Sequence, residues 1–323
     1  MNRLRIWYSK NKKEILISIA VILGIFFIIK IVNFQYKKEN DNILNYQEEN
    51  NTDDSYSDIK LNDDNSTVTG KKLSDSQKIK IDTINKFVEY CNKEDLENAY
   101  NLISDDCKNE YYPDLENFKE GYYNDIFNGN KKSVNVENWV NNIYKVNYTE
   151  DYLSTGKYSS DNNIQDYITI VDQNDEHKLN INNYVGKYGI NKTNEDEETG
   201  IKIEVEESNV FMEYETYKIK VTNNSDNIIK LDDGVDTKAM YIQDKNGKNF
   251  SAYTHELSDE QLTVRARQSK EIEIKYYSKY NSDKVINKIV FSRVILDNEL
   301  YKEYELNNNI NLYKDYCSLE IEI

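Results

Sequence analysis

Ser74-Asp75-Ser76-Gln77-Lys78-Ile79-Lys80-Ile81-Asp82-Thr83-Ile84-Asn85-Lys86-Phe87-Val88-Glu89-Tyr90-Cys91 opens the folded part of this chain. Ser74 followed three residues on by Gln77 is a capping box, in which the two side chains answer amides that the first helical turn leaves free. Ile81, Ile84, Phe87, Val88 and Cys91 then recur at helical spacing and share one face. Asn92 to Asp95 reads as a turn. A second helix is expected through Leu96, Ala99, Tyr100, Ile103 and Cys107. Pro113 suits the first turn of a short third helix, whose face is Leu115, Phe118, Tyr122 and Ile126.

After Gly129 the apolar period becomes two, in Val134, Val136 and Trp139-Val140, then in Tyr144, Val146 and Tyr148. The runs Tyr167 to Val171 and Lys178 to Asn182 flank Asp172-Gln173-Asn174-Asp175, a hairpin turn. Tyr184, Val185, Tyr188 and Ile190 close the segment. A helical hairpin, a short helix and then antiparallel strands resemble, over residues 74–190, the NTF2-like cone-shaped α+β fold. The pair Phe87-Val88-Glu89-Tyr90 and Asp95-Leu96-Glu97-Asn98-Ala99-Tyr100-Asn101-Leu102-Ile103 carries that resemblance. It implies a ligand pocket in the mouth of the cone, for which Trp139 and Tyr144 are the candidate lining residues.

Residues 191–199 contain Glu195-Asp196-Glu197-Glu198 and read as a linker. From 200 to 323 the pattern is all strand. Ile201, Ile203 and Val205 alternate, as do Tyr217, Ile219 and Val221, and Ile272, Ile274 and Tyr276. Asp244-Lys245-Asn246-Gly247 holds an Asn-Gly hairpin signal. Val285 to Leu296 is a long strand, and Leu319, Ile321 and Ile323 end the chain. Short strands between turns predict a β-sandwich. Tyr217 to Asp226 followed by Asp244 to Phe250 resembles the immunoglobulin-like accessory domains of surface proteins from low-GC Gram-positive bacteria. The tail beyond Asp297 is long for that type.

Upstream lies a spacer, 35–73, rich in Asn, Asp, Glu and Ser and without apolar period. Before it, residues 15–34 are mostly apolar and carry no charge but Lys30. About 20 residues at about 1.5 Å each cover a hydrocarbon core of about 30 Å, so a transmembrane helix is expected. Arg3, Arg5, Lys10, Lys12 and Lys13 precede it against one acid, Glu14. Basic flanks stay inside, which makes 1–14 a cytoplasmic tail and everything after the span extracellular.

The chain has 323 residues, a net charge of −17 and 28 tyrosines. That acidity repels phosphate backbones and argues against nucleic acid. Cys91, Cys107 and Cys317 fit no zinc spacing. The first two are expected to be buried free thiols, with a disulfide between them as the rival reading. Neither His177 nor His255 sits in a catalytic motif, and Asp232-Asp233-Gly234-Val235-Asp236 reads as a turn, lacking the spacing of a calcium loop. No catalytic residue, metal or cofactor is called for. The expectation is a single-pass membrane-anchored, extracytoplasmic binding or scaffold protein of the cell envelope, not an enzyme. Its partner would be another envelope protein or a wall polymer. Two rival classes are a scaffold of a conjugation or type IV secretion channel, and an enzyme or small-ligand binder using the NTF2-like pocket.

Overall fold

A computed structural model describes residues 66–67, 74–150 and 164–323. The expected transmembrane helix, and all of the spacer except Ser66–Thr67, lie outside the described residues. Among the described residues no helix is long and apolar enough to cross a membrane.

Ser66–Thr67 form strand β1, which pairs in parallel with Val134 and Asn135. This differs from the spacer reading, because a two-residue strand is too short to leave an apolar pattern. Helix α1, Asp75–Asn92, starts at the Ser74 capping box and buries Ile81, Ile84, Phe87, Val88 and Cys91. The expected second helix is two, α2 (Leu96–Asn101) and α3 (Asp105–Tyr111). Ser104 ends the first path, because its hydroxyl caps Cys107 while its amide bonds the Leu179 carbonyl. Helix α4, Leu115–Phe118, runs through one π-helical turn, Lys119–Tyr123, into α5, Asn124–Ile126.

Strands β2 (Lys132–Val140), β3 (Ile143–Glu150), β4 (Ile164–Gln173) and β5 (Glu176–Asn180) follow, and the sheet order is β1-β2-β3-β4-β5. The turn from β4 to β5 puts Asn174 and Asp175 at positive φ, as a tight hairpin requires. The helices cover one face of this sheet, and a core rich in aromatic rings fills the space between. Phe118 and Tyr122 stack there, at 5.9 Å between centroids.

Strand β6, Tyr184–Asp196, pairs antiparallel with β7, Ile201–Phe211. The acidic run read as a linker is therefore the far half of a strand and its turn, closed by Gly200 at φ +69°. This far half is an exposed stretch of an edge strand, so charged side chains suit it and protect the edge, and no alternation reports it. Backbone pairing from Lys192 to Asp196 and a bond from the Asn194 amide to the Glu320 carbonyl hold it in place. Tyr184 and Phe211 sit in the core beneath the helices, while Ile190 and Val205 pack in the second core, so one hairpin serves both.

The remaining strands are β8 (Glu215–Asn223), β9 (Ile229–Lys230), β10 (Met240–Asp244), β11 (Asn249–Ser251), β12 (Thr263–Val264), β13 (Gln268–Tyr276), β14 (Ile286–Ile295) and β15 (Tyr316–Glu322). Helix α6, Asp259–Leu262, precedes β12, and helix α7, Asn298–Leu306, lies between β14 and β15. One sheet runs β13-β8-β7-β6. The other runs β11-β10-β14-β9-β12, with β15 on β14. Their inward residues, among them Ile203, Ile219, Ile242, Ile274 and Phe291, form a single core. The architecture is mostly antiparallel sheet and compatible with a β-sandwich. The long tail is resolved by α7, whose Tyr301 packs with Ile295 and Tyr313 in a small core of its own.

Candidate functional site

The two residues expected to line a pocket lie apart. Tyr144 points into the core under the helices and is buried. Tyr144 pairs with Asn138, so Trp139, one residue on, stands on the opposite face of the sheet. Its ring meets Tyr167 at 5.3 Å and Tyr280 at 6.0 Å, in a separate cluster with Ile143, Val185 and Met212. This cluster joins the helix-covered sheet to the sandwich.

The first core contains a polar group instead. Asp166 is 3% exposed. Its Oδ1 accepts from the Asn183 amide at 2.7 Å, and its Oδ2 from the Asn182 amide at 3.0 Å and the Tyr122 hydroxyl at 2.7 Å. The Tyr122 hydroxyl lies 3.0 Å from that of Tyr148. Since Tyr122 donates to the carboxylate, Tyr148 donates to Tyr122. Asn182 and Asn183 stand at φ +61° each, so the carboxylate clamps the tight turn between β5 and β6. Burial raises the Asp166 pKa above its ordinary 3.8, and the bonds from Tyr122 and the two amides oppose the rise. Burial likewise pushes the Tyr122 and Tyr148 hydroxyls up. A signal for this group was present: Asp166 is in phase with Ile168 and Ile170, so a strand that buries those two must bury the acid.

The same signal marks a second group. Glu215 is in phase with Tyr217, Ile219 and Val221, and it is buried. Its Oε1 receives the Lys284 ammonium at 2.5 Å and the Ser278 hydroxyl at 2.9 Å, and its Oε2 the Tyr217 hydroxyl at 2.8 Å. Lys284 also donates to the Ser278 oxygen and the Lys279 carbonyl, each at 2.6 Å. Ser278 is fully enclosed, so its hydroxyl cannot meet a substrate in this structure. A second ion pair joins Arg293 Nη2 to the enclosed Asp233 at 2.5 Å, with the guanidinium 4.5 Å over the Tyr316 ring. Asp232 and Asp233 accept from the Gly234 and Val235 amides, as in a turn.

His177 sits opposite Asp172 in the β4–β5 hairpin, with Nδ1 at 2.6 Å from its Oδ1, a surface pair across a ladder. His255 is exposed in a single 3₁₀ turn, Thr254–Glu256. Cys91 and Cys107 are free and buried, and Cys317 is free and half-buried. Burial pushes the Cys91 thiol well up, Cys107 up to about 12 and Cys317 up to about 11. Such thiols pack as apolar groups and are poor nucleophiles. Among the described residues no group of three or more His, Cys, Asp or Glu is placed to hold a metal ion.

Compared with family models, with curated proteins and with solved structures, the chain finds no match.

Proposed function

We propose that this is a single-pass membrane protein whose extracytoplasmic part binds or scaffolds other components of a bacterial cell envelope. The observation that carries the reading is the apolar run 15–34, with five basic residues before it and an acidic, tyrosine-rich chain after it. In this reading residues 74–190 are an NTF2-like module and residues 200–323 an immunoglobulin-like one. Helices on one face of a short antiparallel sheet, followed by two facing sheets, support that assignment. A binding role is favoured over catalysis because the buried acids are engaged with structural donors and both histidines lie on the surface. Fold alone does not specify an activity.

Topology is the first test. Protease added to intact protoplasts is expected to digest an epitope placed after Ile323 and to spare one placed before Arg3. Protection of the C-terminal epitope with digestion of the N-terminal one would overturn the reading.

A further inference from the structure

The sandwich carries a cleft of about 710 Å³ where the β10–β11 turn meets the segment between β13 and β14. That volume lies in the range of small-ligand sites. We infer that this cleft binds a neutral pyranose glycan. The inference rests on the envelope-binding reading and specifies what is bound.

Three features of the cleft carry the argument. First, it offers aromatic surface in place. Tyr277 is 49% exposed, yet its ring is held by stacking on Tyr253 at 3.3 Å. Tyr253 is in turn held by the Lys275 ammonium, 4.4 Å from its centroid and 4.3 Å from that of Tyr214. Phe250 and Tyr280 add half-buried rings. The C–H face of a pyranose packs on such rings, and a ring already fixed loses little entropy on binding.

Second, the floor is rigid. The buried Lys284–Glu215–Ser278 group pins the segment 277–284 from beneath, and the Tyr277 and Tyr280 amides bond the Ser251 and Met212 carbonyls at 2.9 Å each. A buried ion pair adds little net stability compared with apolar packing, but it fixes geometry. Here the geometry it fixes is the aromatic wall.

Third, the charges nearly cancel, with one acid in excess. Lys284 is paired with Glu215, and Lys279 with Glu213 at 2.7 Å. Lys248 faces Phe250 at 5.0 Å, while Asp244 and Asp283 bring opposite charge to the same lining. With a net charge of −17 on the whole chain, a polyphosphate or other polyanion is disfavoured. Asn246, Asn249 and Asn281 instead supply amides that suit sugar hydroxyl and acetamido groups.

The test uses the full-length chain in detergent micelles with two soluble probes, the β-1,4-linked hexamer of N-acetylglucosamine and that of glucose, followed by titration calorimetry. Saturable one-to-one binding of at least one hexamer is expected. A preference for the first identifies an acetamido-bearing wall glycan, and equal binding a general pyranose site. Tyr277→Ala is expected to weaken binding about tenfold, the loss of one anchoring ring, while Tyr277→Phe retains it. Tyr304→Ala, remote from the cleft, is expected to bind as the parent does, and matched urea midpoints show that each variant is folded. Absence of saturable binding by the folded parent chain, or unchanged affinity in Tyr277→Ala, overturns the inference. Either failure leaves the topology experiment standing. An inverted topology with intact hexamer binding would remove the envelope reading alone.

Discussion

Asp166 is a residue at which a single substitution should cost the fold measurable stability. Asp166→Ala removes the acceptor of the Asn182 and Asn183 amides and of the Tyr122 hydroxyl. Tyr122 can turn to Tyr148, 3.0 Å away, but the two amides lose their acceptor. A buried donor left unpaired costs about 1–3 kcal/mol, and since these two bonds are part-buried, together they cost about 2–4 kcal/mol. Relief from burying a charge offsets part of this, which places the expected loss at about 2–3 kcal/mol of a stability typically about 5–15 kcal/mol. Urea unfolding at pH 7, followed by tryptophan fluorescence, measures it. The pH dependence supplies a second arm. The folded carboxyl has its pKa raised above 3.8, so the native state binds the proton at a pH where the unfolded chain has released it. Acidification from neutral pH through the raised value toward 3.8 therefore stabilises the parent relative to Asp166→Asn, which does not titrate. The parent's stability minus the variant's is expected to rise over that window. A loss below about 1 kcal/mol for the alanine variant would refute the clamp, and a parent-minus-variant difference that stays flat or falls on acidification would refute the raised pKa.

Breaking the buried pair on one side, with Glu215→Gln or Lys284→Met, is expected to cost about 3–5 kcal/mol in the same urea assay. The double variant should cost less than the two losses together, because neither charge is then stranded. Strict additivity would show that the pair is not coupled. The thiols give a chemical readout. At pH 8, Ellman's reagent is expected to label Cys317 slowly and to leave Cys91 and Cys107 unreacted until urea unfolds the chain, since burial disfavours each thiolate. Rapid native labelling of Cys91 would contradict its burial.

Helix α1 was legible almost residue by residue. Its cap is a local exchange between Ser74 and Gln77, and its buried face repeats with the period of the helix itself. Strands with an apolar and a polar face, such as β8 and β13, were legible for the same reason at period two. The break between α2 and α3 was not, because Ile103 and Ser104 are drawn out of helical register by the distant Leu179. Nor was the far half of β6, Asn191 to Asp196: its side chains are mostly exposed and it is held by backbone bonds to β7, which leave no trace in side-chain pattern.

The candidate sites divide along the same line. An acid in the apolar phase of a strand can be read from order alone, so Asp166 and Glu215 were in principle visible. Their partners were not, because Tyr122 lies 44 residues from Asp166 and Lys284 and Ser278 stand beyond the next several strands from Glu215. Trp139 and Tyr144 were read as lining one pocket, yet Tyr144 pairs with Asn138, so the pleat puts Trp139 on the opposite face and the two enter different cores. The apolar span and its charged flanks are properties of composition over a short window, and order alone settles them as an expectation about the membrane. A cleft lined by Phe250, Tyr277 and Lys284 is a property of where distant segments meet, and only tertiary packing brings those groups within reach of one another.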